Sequence, residues 1–192
     1  MMELLVTERL EEFFKVVAGT KVVENMGMEL SLQEGINKTF EIIDNARESN
    51  RGLYIIGNGG SAAIASHAAI DFLNMGKISA HTLHDSATFT CMANDYGYEY
   101  AFSNIIELTL KSKDILIAIS SSGHSKNIIN AVESAKQLGS IVITLSGFDS
   151  KNNLRKKGDI NFWCNSRDYG MVEIAHQFIL HNLSDKFIGS DN

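Results

Sequence analysis

Five short apolar runs, separated by segments of helical length, constrain the fold of this chain more than any other feature of its sequence. The runs are 53-LYII-56, 79-SAHTL-83, 115-ILIAI-119, 141-IVITL-145 and the weaker 159-DINFW-163. The intervening segments 61–73, 86–110 and 125–138 are long enough for helices. Continuous apolar strands that alternate with helices are typical of a parallel sheet covered on both faces. We therefore predict an α/β fold in which helices flank a parallel five-stranded sheet.

The first 50 residues lack this alternation and are predicted to be helical. Apolar side chains recur there at helical spacing; they are Leu4, Leu5, Leu10, Phe13, Phe14, Val16 and Val17. Ser31 with Glu34 forms a capping box that starts a second helix. We predict a single domain over residues 1–192. Its N-terminal helical extension, residues 1–50, should pack against other copies of the chain, because its apolar surface exceeds what a peripheral helix needs.

Composition argues against several classes of partner. The formal net charge of −6 argues against nucleic acid, which requires a basic face. The apolar runs are much shorter than the roughly 18–20 residues of a membrane span, and acidic residues interrupt the amino terminus, so no secretory signal is predicted. Cys91 and Cys164 show no metal-binding spacing and fit reduced thiols. We predict a cytoplasmic protein without nucleic-acid or membrane partners.

Glycine and serine residues follow three of the predicted strands, at the edge where parallel α/β sheets bind ligands. In 57-GNGGS-61, the glycines allow a ligand to approach the backbone closely. Ser61 then begins a helix whose N–H groups and dipole favour an anion. The loop 120-SSSGHS-125 repeats this chemistry after a neighbouring strand. Either loop alone would more often be a turn with a helix cap, but the pair predicts a phosphate-binding site.

Two other phosphate-binding motifs do not fit the sequence. The dinucleotide motif G-x-G-x-x-G would require glycine where 57-GNGGSA-62 ends in alanine. The P-loop motif G-x-x-x-x-G-K-[ST] is absent. We therefore predict that no organic cofactor is used.

Two predicted helices carry histidines that are paired with carboxylates. His67 and Asp71 lie four residues apart and share a helix face. Glu173 and His181, eight residues apart, share a face of the last helix. One such histidine would more often be structural, as we interpret His176. Two pairs, one of them just after a phosphate loop, favour proton transfer.

The segments 57-GNGGS-61, 94-NDYGYEYAF-102, 119-ISSSGHSKNII-129 and 142-VITLSG-147 resemble the sugar isomerase (SIS) domain family. Over nearly its whole length the chain is similar to the phosphoheptose isomerases, which interconvert sedoheptulose 7-phosphate and D-glycero-D-manno-heptose 7-phosphate. The resemblance implies a flavodoxin-like sandwich and a homotetramer with active sites between subunits. It also implies that the product serves heptose synthesis for lipopolysaccharide or capsule.

The resemblance also implies which residues bind the substrate. In that family, serines hold the phosphate, and Asp95 matches an aspartate of the substrate site. The matching serines are Ser61, Ser120, Ser122 and Ser125. Further candidates for contacts to the substrate are Asn58, Gly59, Gly60 and Ser121.

The family carries a catalytic glutamate and a catalytic histidine, and some members bind zinc with the same groups. His181 matches the histidine. Asp71 stands at the glutamate position, Glu173 at a glutamine position, and Gly170 where the family has an aspartate. We predict that His181 is one acid–base group and that Asp71 or Glu173 is the other. The residues that could hold zinc are His67, Asp71, Glu173 and His181.

These features predict a ketose–aldose isomerase that acts through an enediol. Two non-catalytic proteins of the same fold are the alternatives: a sugar-phosphate sensor, and a tetrameric regulator that binds a replication-initiation protein. Such regulators lack the histidine of the last helix and the acid after the first loop. His181 and Asp71 therefore favour catalysis.

Overall fold

A computed structural model describes residues 5–25 and 27–188, which form a seven-stranded sheet flanked by helices. The strands are β1 (Lys21–Glu24), β2 (Glu29–Leu30), β3 (Leu53–Ile56), β4 (Ala80–Thr82), β5 (Ile115–Ser120), β6 (Ile141–Ser146) and β7 (Ile160–Trp163). The helices are α1 (Val6–Ala18), α2 (Leu32–Glu48), α3 (Gly60–Asn74), α4 (Ser86–Tyr96), α5 (Ala101–Thr109), α6 (Lys126–Gln137) and α7 (Tyr169–Ser184). Among these helices, none combines the length and the apolar character that a membrane crossing requires.

The predicted α/β fold is confirmed, because all five predicted strands form and pair in parallel. The sheet order is β2-β1-β7-β6-β5-β3-β4. Every residue of β5 is buried, as expected for a strand covered on both faces. β3 and β5 are direct neighbours that run in the same direction. The loops that follow them therefore leave the sheet at the same edge.

Helices cover both faces of the sheet, and the side chains of β5 show how. Ile115, Ile117 and Ile119 belong to a buried cluster that includes residues of α1, α2, α3 and α7. Leu116 and Ala118 point the other way and join a second cluster with α5 and α6. This alternation follows from the two-residue period of a strand. As a result, α3 and α7 lie on the same face of the sheet and pack against each other.

Two additional strands correct both the predicted strand count of five and the helical interpretation of residues 1–50. β1 and β2 form an antiparallel pair between α1 and α2, and β1 also pairs antiparallel with β7. The capping box of Ser31 and Glu34 is present where α2 begins. The sequence of β1, KVVE, has charged residues at both ends and one buried residue, so it lacks a continuous apolar run. Its pairing with β7, which is distant in the sequence, decides its conformation.

Helix α1 uses only part of its apolar surface within the chain. Phe13 packs edge-to-face against Phe178 of α7, with 6.2 Å between ring centroids. Leu10 and Phe14 are exposed. Leu4, which was part of the predicted apolar face, lies outside the described residues.

Replacement of Gly35 by alanine tests the packing of α2 on β1. A Cβ atom at position 35 would lie 2.6 Å from Cγ1 of Val22, which is buried. Alanine in a helix interior is usually more favourable than glycine by about 1 kcal/mol, but overpacking of a core costs about 1–3 kcal/mol. We expect Gly35→Ala to lower the free energy of unfolding, measured by urea denaturation.

The control for this experiment is the same substitution in a Val22→Ala background. Removal of the two Val22 methyl groups relieves the contacts at 2.6 and 3.0 Å and leaves only the Val22 Cβ atom, at 3.1 Å, so Gly35→Ala should cost less stability in that background. An equal loss of stability in both backgrounds would show that the two residues are not coupled.

Candidate active site

A cavity of about 270 Å³ lies where the loops after β3 and β5 meet. Its lining consists of Asn58, Gly59, Gly60, Ser61, Ile119, Ser120, Ser121, Ser122, Ser125, Tyr169 and Glu173. Every predicted substrate-binding residue except Asp95 is therefore found in one place. Hydroxyl groups dominate this lining, and none of its residues is lysine, arginine or histidine.

The first loop brings the amino terminus of α3 to the cavity. Gly59 is the N-cap of α3 and has a φ of +54°, a conformation that would strain a residue with a side chain. Ser61 follows in the first turn and is buried. The first turn of a helix has N–H groups without intrahelical partners and the positive end of the helix dipole. An anion in the cavity is stabilised by both.

The second loop presents its hydroxyl groups to the cavity instead of capping α6 with them. Ser125 is the N-cap of α6, yet its side chain makes no capping hydrogen bond. Its Oγ accepts a hydrogen bond from Ser120 Oγ at 3.3 Å. The backbone N–H groups of Gly123 and His124 donate to Ser120 and Ser122 at 3.2 Å each. Ser122 and Ser125 thus keep their hydroxyl protons for an acceptor oxygen of a ligand.

The side chain of Asn58 ties the two loops together. Asn58 and the buried Asn127 of α6 exchange two amide hydrogen bonds of 2.9 Å each. The Tyr98 hydroxyl also donates to Asn58 Oδ1, at 3.1 Å. Sequence reasoning missed Asn127, whose only signal is its position just after the serine loop. The structure indicates that Asn58 positions the loops in addition to lining the cavity.

Asp95 lies on α4 and is not part of the cavity lining. Its carboxylate contacts Cys91 and Asn94 of the same helix. None of the residues of α4 is buried. Within one chain, the described structure does not bring Asp95 to the serines.

His67, Asp71 and His181 form a compact cluster where α3 packs against α7. Asp71 Oδ2 lies 3.2 Å from His181 Nδ1 and 3.4 Å from His67 Nε2. The two imidazole rings meet edge-to-face, with 5.0 Å between centroids. The Asp71 side chain is only 17% exposed, whereas those of His67 and His181 are 57% and 40% exposed. A sheltered carboxylate between two accessible imidazoles can accept, hold and pass on protons.

Glu173 lies at the cavity end of the same two helices and not in this cluster. A Cβ atom at position 60 would lie 2.5 Å from Glu173 Oε1 and 2.6 Å from Oε2, so the carboxylate fills space that Gly60 leaves open. Glu173 and His181 are eight residues apart, which corresponds to about 12 Å along a helix. The cavity therefore lies near one end of the contact between α3 and α7, and the cluster lies near the other end.

The donor atoms of the cluster fit a divalent metal ion. The ligand atoms of His67, Asp71 and His181 lie within 4.8 Å of one another. Within the described chain, Asp71 Oδ2 is buried and its only polar contacts are with the two imidazoles. Two imidazoles and one carboxylate form a ligand set that zinc accepts, with a fourth position open. Of the four predicted ligands, three converge here and Glu173 does not.

His176 is a structural residue. It is completely buried, and burial lowers its pKa to about 4. Its Nε2 atom lies 3.2 Å from the carbonyl oxygen of Ser146, at the end of β6. The imidazole is therefore neutral at physiological pH and donates a hydrogen bond to the strand.

An aspartate does precede the last helix, although Gly170 itself lies inside α7. Asp168 is the N-cap of α7 and accepts hydrogen bonds from Met171 N at 3.1 Å and Arg9 Nη1 at 2.9 Å. The hydrogen bond from Arg9 lowers the pKa of the Asp168 carboxyl. Asp168 thus fixes where α7 begins and connects it to α1. Sequence reasoning missed it, although aspartate is a preferred N-cap residue.

Comparisons with known proteins show which proteins this chain is similar to. The family model described as SIS domain matches residues 19–147. A phosphoheptose isomerase of Campylobacter concisus is 34% identical over 149 residues, which cover 74% of this chain and 78% of that protein. A phosphoheptose isomerase of Leptospira biflexa is 37% identical over 161 residues, which cover 80% and 82%.

A solved structure shows the same likeness over almost the whole length. The phosphoheptose isomerase from Francisella tularensis matches with a TM-score of 0.82 at 27% identity, and the match covers 95% of this chain and 96% of that one. The chain belongs to the SIS domain family and, within it, to the phosphoheptose isomerases.

Proposed function

We propose that this protein interconverts sedoheptulose 7-phosphate and D-glycero-D-manno-heptose 7-phosphate through an enediol. The observation that carries the proposal is the contact between α3 and α7, with a cavity lined by hydroxyl groups near one end and the cluster of His67, Asp71 and His181 near the other. Sedoheptulose 7-phosphate reacts at C1 and C2 and carries its phosphate on C7, so its phosphate site and its acid–base groups must lie apart. Family membership favours this reaction over a sensor or a regulator.

The serine loops bind the phosphate of the substrate. Ser122 and Ser125 have hydroxyl protons to donate, and the first turn of α3 adds N–H groups and the helix dipole. A hydrogen bond to a charged acceptor contributes about 1.5–3 kcal/mol. Because none of the described residues that line the cavity is a cation, hydroxyl and amide groups of this chain supply the binding.

Asp71 and His181 carry out the proton transfers. In the aldose-to-ketose direction a base removes the C2 proton while O1 gains a proton, which forms the enediol. C1 then receives a proton while O2 loses one. We assign the C–H proton to the Asp71 carboxylate and the O–H proton to His181, whose Nδ1 lies 3.2 Å from Asp71 Oδ2. His67, on the other side of the same oxygen, orients the carboxylate.

The same cluster is a candidate zinc site. His67, Asp71 and His181 would be the protein ligands. A bound divalent cation would polarise the substrate oxygens and would occupy Asp71 and His181 as ligands, so the metal site and the direct proton transfer are alternative roles for this cluster.

We further propose that residues 1–192 form a single domain that assembles as a homotetramer in the cytoplasm and serves surface-polysaccharide synthesis. Exposed apolar side chains on α1, α3 and α7 support assembly; they are Leu10, Phe14, Ile70, Leu73, Ile174 and Phe178. Because α3 and α7 also carry the acid–base cluster, assembly would bring subunits together near the active site. The free thiols of Cys91 and Cys164 suit a reducing compartment.

Replacement of Ser122 by alanine tests the phosphate contact. Loss of one hydroxyl donor to a charged oxygen should weaken binding of sedoheptulose 7-phosphate by about tenfold or more, measured by isothermal titration calorimetry. Ser150→Ala, at an exposed serine outside the cavity lining, is the control and should bind like the wild type. Unchanged affinity in both Ser122→Ala and Ser120→Ala would show that the serine loop does not bind the phosphate and is an ordinary turn.

Substitution of the acid–base groups tests the proton transfers. Asp71→Asn and His181→Ala should each lower turnover by about 10²–10⁴-fold. Both should also slow incorporation of deuterium from solvent at C1 or C2, followed by NMR. His81→Ala, at an exposed histidine on β4, is the control. If Glu173→Gln abolishes exchange while Asp71→Asn retains it, Glu173 is the base; if the wild type exchanges no heptose phosphate, the protein is a sensor.

Charged substitutions on α1 test assembly. We expect the wild type to be a tetramer by light scattering at micromolar concentration, and Phe14→Glu to dissociate it, because a carboxylate cannot be buried unpaired in an apolar interface. Phe14 is 71% exposed within the chain, so its substitution leaves the fold intact. Leu108→Glu, at a residue of α5 that is 79% exposed, is the control. A monomeric wild type would contradict the proposal.

A further inference from the structure

Among the described residues of one chain, the cavity that we propose for the phosphate is lined by one carboxylate and by no lysine, arginine or histidine. The lining residues other than Glu173 carry hydroxyl groups, an amide or no polar side chain. In the described part of the chain, Glu173 makes no ion pair and no hydrogen bond. Its charge is therefore not neutralised by a neighbouring cation.

The carboxylate stands at the place where an anion binds best. Both of its oxygens lie against Gly60, the first residue of α3, at 2.5 and 2.6 Å from the position of a Cβ atom there. The amino terminus of a helix attracts anions through its free N–H groups and its dipole. A phosphate held between this helix and the serine loop is a direct neighbour of Glu173.

Whether an anion can bind next to the Glu173 carboxylate depends on whether the anion has a hydrogen-bond donor. An ionised carboxylate has only acceptors, and so does an oxyanion that carries no proton. The two repel each other in a cavity without cations. A hydrogen phosphate group has a hydroxyl that can donate to the carboxylate, which replaces the repulsion with a charge-assisted hydrogen bond.

We propose that Glu173 is a specificity-determining residue that selects hydrogen phosphate groups and rejects oxyanions without a proton. This inference rests on the proposed function, because it takes the cavity to be the phosphate site. A phosphate monoester, whose second pKa is about 6, binds in its monoanionic form with its hydroxyl directed to Glu173. A glutamine at this position would offer a donor as well as an acceptor and would accept both kinds of anion.

The test compares inorganic phosphate with inorganic sulfate as probes. The full chain is titrated with each anion by NMR at neutral pH and constant ionic strength, where phosphate retains a proton and sulfate retains none. We expect the wild type to bind phosphate at least about tenfold more tightly than sulfate. Glu173→Gln should bind sulfate at least about tenfold more tightly than the wild type does, so that the preference largely disappears.

Glu41→Gln, on the exposed face of α2, removes the same charge elsewhere and should retain the wild-type preference. A Glu173→Gln variant that keeps the wild-type ratio of affinities overturns the inference, and so does a wild type that binds both anions equally. Equal binding leaves the proposed phosphate site intact. A wild type that binds neither anion refutes the phosphate site and this inference together.

Discussion

Parallel pairing of β3 with β5 is the interaction on which the site depends. The register runs from Leu53 opposite Ile115 to Ile56 opposite Ala118, so the glycine loop and the serine loop start from adjacent strands about 4.8 Å apart. The amide pair of Asn58 and Asn127 then joins the two loops directly. Taken separately, each loop is a turn before a helix; together they enclose a cavity lined with hydroxyl groups.

The packing of α3 against α7 places the cavity and the cluster of His67, Asp71 and His181 along one pair of helices. Both helices follow parallel strands and lie on the same face of the sheet, so their residues meet in rows along the helix axes. Gly60 meets Glu173 at one end, and Asp71 meets His181 at the other. This packing thus keeps Glu173 apart from the cluster of His67, Asp71 and His181. Asp168, held by Arg9, fixes the start of α7.

Asp71 and Glu173 are the two carboxylates at the contact between α3 and α7, and they have different surroundings. Asp71 Oδ2 contacts both histidines of the cluster. Glu173 lies against Gly60 at the amino terminus of α3 and lines the cavity. The first carboxylate therefore has two imidazole partners, whereas the second is surrounded by hydroxyl groups.

The sequence by itself determined the parallel strands, the loops and the residue types of the site. Continuous apolar runs such as 115-ILIAI-119 have no stable place except inside a covered sheet, and glycine and serine after them were recognisable as anion-binding chemistry. The helical rows also placed His67 with Asp71, and Glu173 with His181, each pair on one helix face.

Only the tertiary structure decided how those faces meet. The spacing of residues along α7 shows which face of the helix they share, but not which residues of α3 they contact. The separation of Glu173 from the predicted metal ligands therefore could not be predicted from the sequence. The same holds for β1, whose four residues become a strand through β7, and for Asn127, whose partner is 69 residues away. Asp95 stayed apart from the serines for the same reason. Contacts between elements distant in the sequence arise from packing, and packing has no local signal.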